Sequence, residues 1–253
     1  MRRRNRLAID APVKARDLRF IRRAEPIRLS PLSPEFEPWV EMFGIDDVPE
    51  KASWIGRPEL APVSQQIPYA TCLAHALCRL QETLLRKQGA RQPLDADMFH
   101  QCVTGMNCTT GQPDPATHVR FLRDEGAPAA TGSFKPDDSC PVPLPLQSRC
   151  NRAVLIMSAD QARETISRHA PVIAIMTAAN RFAAVKDFEI YRDTGTDDDL
   201  HHALLLVGYD DTAQCWEVQN SFGTGWGRNG FGRIAYGSCR IIAGASNPGF
   251  ALY

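Results

Sequence analysis

Four residues far apart in the chain carry groups that together can run an acyl transfer: Gln66, Cys72, His202 and Asn220. A thiolate nucleophile needs a basic partner, a group that orients that partner, and donors for the oxyanion. Cys72 opens a stretch in which Leu73, Leu77, Leu80 and Leu84 recur at helical spacing. The spacing predicts a helix to about Lys87, with Gly89 just past its end. A cysteine in the first turn meets unpaired N–H groups and the helix dipole, which favour thiolate. His202 precedes the strand-like run Ala203–Val207, and Asn220 opens the glycine-rich turn 220–227. Gln66, six residues before Cys72, supplies an amide that can donate alongside the Cys72 N–H. His201 is a rival base, but a strand alternates its faces, so only one of the two histidines points one way. His75 lies three residues after Cys72 on the same helix and can approach it.

The elements that must position these groups follow from periodicity. Helices are predicted at about Pro115–Asp124 and Ala159–Arg168, and short strands at 172–176, 203–207, 216–218 and 232–235. Helices come first and strands later, an order that suits two packed lobes. The 253 residues, 43% hydrophobic and 23% charged, suffice for one large domain or two modest ones and exclude a wholly disordered chain. Lys+Arg 29 and Asp+Glu 29 cancel, so no nucleic-acid partner is expected. No apolar run approaches the roughly 18 residues of a membrane span.

The balance hides an uneven distribution. Residues 1–30 carry ten bases against Asp10, Asp17 and Glu25, whereas residues 31–50 carry six acids and no base. This divides the chain into an arm and proline-bearing connector, 1–47, and a body, 48–253. Leu18, Phe20, Ile21, Ile27 and Leu29 give the arm apolar groups with which to dock on its own body or on a carrier. The charged start Met1-Arg2-Arg3-Arg4 is followed by no apolar stretch, so no secretory signal is read. A cytoplasmic location, or export independent of such a signal, is the expectation; the first keeps the thiols unbridged, and the second allows two or more disulfides. Cys102, Cys108, Cys140 and Cys150 can be considered as a zinc set, but their spacings are not the short kind that zinc sites use. No metal or cofactor is expected.

The motifs in register resemble the papain-like cysteine peptidases. They run from Val48-Pro49-Glu50-Lys51-Ala52-Ser53-Trp54 through Gln66-x5-Cys72 to His202-Ala203-Leu204-Leu205-Leu206-Val207-Gly208-Tyr209. They end with Asn220-Ser221-Phe222-Gly223-x2-Trp226-Gly227-x2-Gly230-Phe231. The resemblance implies an α+β, two-lobed fold, helical in its first lobe and β-rich in its second, with the site in the cleft between them. It implies Cys72 as nucleophile, His202 as ion-pair partner and general acid, Asn220 as orienting group and Gln66 in the oxyanion hole. It places Thr110, Gly111 and Ala203 against a polypeptide substrate.

The departures are specific. Phe222 stands where the family usually has Trp, as does Leu73 after the nucleophile, and Tyr69 stands where secreted members have a cysteine. The disulfide that would tie the active-site segment to the Cys108 loop therefore cannot form in the family's way. Three other readings share the motifs. The thioester can be resolved by an amine, giving a transamidase, ligase or cyclase; the cleft can serve a non-catalytic binding module; and the basic arm suits an injected bacterial effector.

Overall fold

The computed structural model describes residues 8–18, 26–39, 48–105, 108, 114–135, 138–145, 147–193 and 200–253. Along them run the helices α1 (Cys72–Lys87), α2 (Ala96–Thr104), α3 (Pro115–Asp124) and α4 (Ala159–Arg168). The first strands are β1 (Phe36–Glu37), β2 (Lys51–Ser53), β3 (Ala127–Pro128), β4 (Gln147–Ser148) and β5 (Ala153–Ile156). The later ones are β6 (Val172–Ala178), β7 (Ile190–Tyr191), β8 (Leu200–Asp210), β9 (Cys215–Gln219), β10 (Phe231–Ala235) and β11 (Gly249–Leu252).

Two apolar runs make the centre of the sheet. In β6 and β8 every residue but His201 is buried, as expected of strands covered on both faces. The sheet order is β1-β5-β11-β6-β8-β9-β10-β7, with β2 added on β8. β8 carries an irregularity against β9 between Leu206 and Gly208. The Val207 carbonyl accepts instead from Trp54 N at 2.8 Å, and β2 pairs with Gly208–Asp210 just beyond.

The helical lobe is α1, α2 and α3 with the β3–β4 ladder; α4 packs on the sheet lobe. The seam is α1, buried along most of its length and packed against β8 and β6. The two-lobed α+β expectation therefore holds, and helices α3 and α4 have their predicted bounds.

Helix α2 was not predicted. It starts at Asp95, whose side chain accepts from Met98 N at 3.0 Å, and ends at Gly105 with φ +64°. Its Cys102 is bonded to Cys140, so at this pair the reduced state expected of a cytoplasmic chain does not hold. The four cysteines considered for zinc are not gathered, and among the described residues no three ligating side chains cluster. The arm lies on the body where it is described. Leu18, Ile27, Leu29 and Phe36 are buried in the common core, and β1 pairs in parallel with β5. Phe20 and Ile21 lie outside the described residues. Among the described residues no helix is long and apolar enough to cross a membrane.

Candidate active site

Cys72 is the first residue of α1 and is fully buried. The cap residue before it, Thr71, makes no side-chain cap bond to its own helix; its hydroxyl donates to Asp97 Oδ1 at 3.1 Å. The first-turn N–H groups of α1 thus meet no capping oxygen from Thr71 and keep their pull on negative charge.

The packing of α1 on β8 brings His202 to the same seam. His202 Nε2 is 2.7 Å from Asn220 Oδ1, which also accepts from Ser221 N at 2.8 Å. That oxygen is therefore an acceptor, and Nε2 must carry the ring hydrogen. In the neutral ring Nδ1 is then the basic nitrogen. It is buried, with no hydrogen-bond partner among the described residues.

Phe222 closes this pair from solvent. Its ring centroid lies 4.7 Å from that of His202, and Phe182 stands at 6.2 Å. Trp226 fixes Phe182 in turn by donating Nε1–H to its carbonyl at 2.8 Å. Burial pushes the His202 pKa down to about 4, partly opposed by the Asn220 hydrogen bond. A ring so held is neutral at neutral pH.

Gln66 is clamped to the turn that holds Asn220. Its backbone N–H donates to Ser221 O at 2.8 Å, and its Oε1 accepts from Ser221 Oγ at 2.5 Å. Its Nε2 gives one hydrogen to Tyr69 O at 2.8 Å, three residues before Cys72. Hydrogen bonds thus tie His202, Asn220 and Gln66 to one turn, and Gln66 holds the carbonyl three residues before Cys72; all four residues are buried.

The other predicted residues fall elsewhere. Thr110 and Gly111 lie outside the described residues. Ala203 is fully buried and lines, with Ser64, His75 and Asn220, a cavity of about 10 Å³. His201 sits opposite Thr177 and lines a larger space of about 800 Å³ between the β6 end and arm residues 26–30. His75 turns to Ser64 Oγ at 2.9 Å and Asp97 Oδ1 at 3.3 Å. Sequence reasoning missed Ser221 and Asp97. Ser221 follows Asn220 in its motif, which is a signal; Asp97 sits in the unpredicted helix and had none.

The arm meets the same turn. The Ile9 carbonyl accepts from Gly225 N at 3.2 Å and Thr224 Oγ1 at 3.1 Å, and the Ala8 carbonyl accepts from Gln65 Nε2 at 3.2 Å.

Residues 48–248 match the family described as papain family cysteine protease. Zingipain-2 of Zingiber officinale is 26% identical over 80% of this chain and 97% of its own length. Cathepsin K of Gallus gallus is 26% identical over 79% of this chain, and ananain of Ananas comosus 24% over 83%. The chain spans just under two thirds of those two, 64% and 65%. Among solved structures, procathepsin L 3 of Tenebrio molitor superposes with a TM-score of 0.74 at 17% identity, over 93% of this chain and 77% of that one. The procathepsin B S9 of Trypanosoma congolense gives 0.73 at 18%, over 95% and 88%. These relatives are eukaryotic and give the bacterial-effector reading no support. With its motifs, its fold and a family match over most of its length, the chain belongs to the papain family of cysteine proteases.

Proposed function

We propose that the chain cleaves peptide bonds with Cys72 as nucleophile, His202 as base and later acid, Asn220 as orienting group and Gln66 as oxyanion donor. The observation that carries this reading is the division of the His202 ring. Its Nε2–H is held by Asn220 at 2.7 Å, and its buried Nδ1 has no partner among the described residues, on the strand that α1 packs against. The matched family is one of cysteine proteases, which supports water over an amine as acceptor.

The chemistry follows from these atoms. Nδ1 takes the Cys72 proton, leaving a thiolate at the positive end of α1 and an imidazolium steadied by Asn220. Sulfur adds to the peptide carbonyl, and the displaced electron pair on oxygen is stabilised by the Cys72 N–H and the second amide hydrogen of Gln66. As the carbon–nitrogen bond breaks, Nδ1 returns its proton to the leaving amine and a thioester remains. Water, deprotonated by His202, adds to the thioester and expels the Cys72 sulfur with the acid product.

Residues 48–253 serve in this reading as the catalytic domain and residues 1–47 as its cover. The arm carbonyls beside Gln65 and Gly225 support this, as do the arm residues Leu18, Ile27 and Leu29 buried in the common core. The Cys102–Cys140 bond supports an oxidising compartment rather than the cytoplasm.

The test is a peptide epoxide applied to the full chain, with the site of addition mapped by mass. Addition at Cys72, with turnover lost in Cys72→Ala and its fold intact, is the expected result. Undiminished activity in Cys72→Ala sinks the reading.

A further inference from the structure

Behind the nucleophile lies a second polar chain that the mechanism above does not use. Asp97, in the first turn of α2, accepts from Thr71 Oγ1 at 3.1 Å and lies 3.3 Å from His75 Nε2. The other ring nitrogen of His75, Nδ1, is 2.9 Å from Ser64 Oγ. His75 and Asp97 are 4% and 5% exposed, so the pair has almost no water to stabilise it.

The order Ser64–His75–Asp97 matches that of a serine hydrolase triad. It cannot act as one. The cavity beside it holds about 10 Å³, room for no more than a single water, and an acyl group cannot enter. What the chain does touch is the frame of the Cys72 site. Thr71 is the residue before Cys72, and His75 follows Cys72 by one helical turn. Ser64 accepts from Gly223 N at 3.0 Å through its carbonyl and leads into Gln65 and Gln66.

The position matters because the usual covalent tie is missing here. Tyr69 replaces the cysteine that would bond to the Cys108 loop. In its place Ala70 N donates to Cys108 O at 2.9 Å, the Cys108 thiol reaches Asp97 O at 3.8 Å, and the Thr71 hydroxyl reaches the Asp97 carboxylate. Asp97 is therefore the point on α2 to which the segment before the nucleophile is moored.

Charge is the second consequence. A buried carboxylate this close to the start of α1 opposes a thiolate at Cys72, unless a cation cancels it. Among the described residues, the groups around the pair are the hydroxyls of Ser64 and Thr71, the Cys108 thiol, Arg79 on α1, and Asn220 and Ser221 across the small cavity. Arg79 is already committed to Glu82 and the Leu94 carbonyl, the latter at 2.9 Å. His75 is the group placed to carry the compensating charge.

We propose that His75 and Asp97 are positioning residues, a buried ion pair that anchors Thr71 to α2 and keeps the net charge behind Cys72 at zero. The inference rests on Cys72 being the nucleophile. Its test reads the thiolate itself and not turnover, so the two can fail separately: retained activity in Cys72→Ala removes the nucleophile, and the titration below judges the pair.

The experiment is an ultraviolet thiolate titration of the full chain, each protein measured against the same protein carrying Cys72→Ser. His75→Gln keeps a hydrogen-bonding side chain but removes the charge that faces Asp97. The Cys72 midpoint should rise, cutting the thiolate fraction below the midpoint by about three- to tenfold. Adding Asp97→Asn removes the stranded charge while keeping an acceptor for Thr71, and should return the midpoint to that of the parent. A purely structural pair predicts the reverse, with the double variant no better than the single. Where His75→Gln is too unstable to titrate, melting decides, and the double variant must melt above it. An unshifted single variant, or a double variant that rescues neither midpoint nor melting, overturns the proposal.

Discussion

His202 Nε2 stands 2.7 Å from Asn220 Oδ1, and the same oxygen takes the Ser221 N–H at 2.8 Å. The two donors fix the amide, and the amide fixes which imidazole nitrogen is basic. Asn220→Ala removes the acceptor and leaves a buried ring N–H without a partner, a loss of about 1–3 kcal/mol. Applied to the transition state, that is a fall in kcat/KM of roughly 10- to 100-fold. Steady-state kinetics on a peptide amide check it, and a change below twofold contradicts the orienting role.

Gln66 and Ser221 form a second dependent pair. Gln66→Ala deletes one oxyanion donor and should cost roughly 10²-fold in kcat. Ser221→Ala only loosens the Gln66 carbonyl, held at 2.5 Å, and should cost less. Because Ser221 acts through Gln66, adding Ser221→Ala to Gln66→Ala should cost little more. Full additivity of the two losses, measured as kcat on one substrate, rules that dependence out.

The site was legible because each of its groups sits in a short, ordered pattern: Gln66 six before Cys72, His202 before an apolar strand, Asn220 before a glycine-rich turn. Helices α1, α3 and α4 were legible through their 3.6-residue stripes. α2 is nine residues long and marked mainly by its cap, Asp95, so periodicity had little to register. β5 and β11 are four-residue strands that pair with each other about a hundred residues apart, and β5 also takes β1. No local pattern encodes such pairing. The Cys102–Cys140 bond spans 38 residues and is invisible for the same reason, since spacing alone does not give connectivity. The arm was set apart by its charge, and Leu18, one of the apolar groups read as able to dock it, is fully buried.

His118 links the helical lobe to acid stability. It is fully buried between α2 and α3, neither ring nitrogen has a partner among the described residues, and His100 stands 6.1 Å away ring to ring. Burial, followed by the His100 charge, pushes its pKa from 6.5 down to about 3. The unfolded chain therefore takes up a proton that the folded one refuses. Stability is full above pH 6.5 and is lost as pH falls through the window down to about 3. His202 adds a loss of the same sign, down to about 4. His118→Phe should spare roughly 2–3 kcal/mol at about pH 4.5, a little over halfway through that window. Denaturant unfolding at that pH and at neutrality checks this; equal acid losses in the two proteins exclude His118 as the cause.

The arm can be displaced by a single methyl group. A Cβ built on Gly225 would lie 2.5 Å from the Asp10 carbonyl oxygen, and closer still to that of Ala11. The three nearest atoms it would meet are backbone atoms of the arm, which cannot move aside as a flexible side chain does. Gly225 also lies outside the left-handed region, so alanine costs the turn no backbone strain; Gly223, at φ +77°, lacks that advantage. Gly225→Ala should therefore loosen residues 8–11 and leave the turn around Asn220 in place. An electrophilic peptide probe should then add to Cys72 faster in this variant than in the parent, and a protease should cut the arm sooner. Faster cutting of the arm with unchanged addition at Cys72 would show an arm that rests on the turn without covering the site.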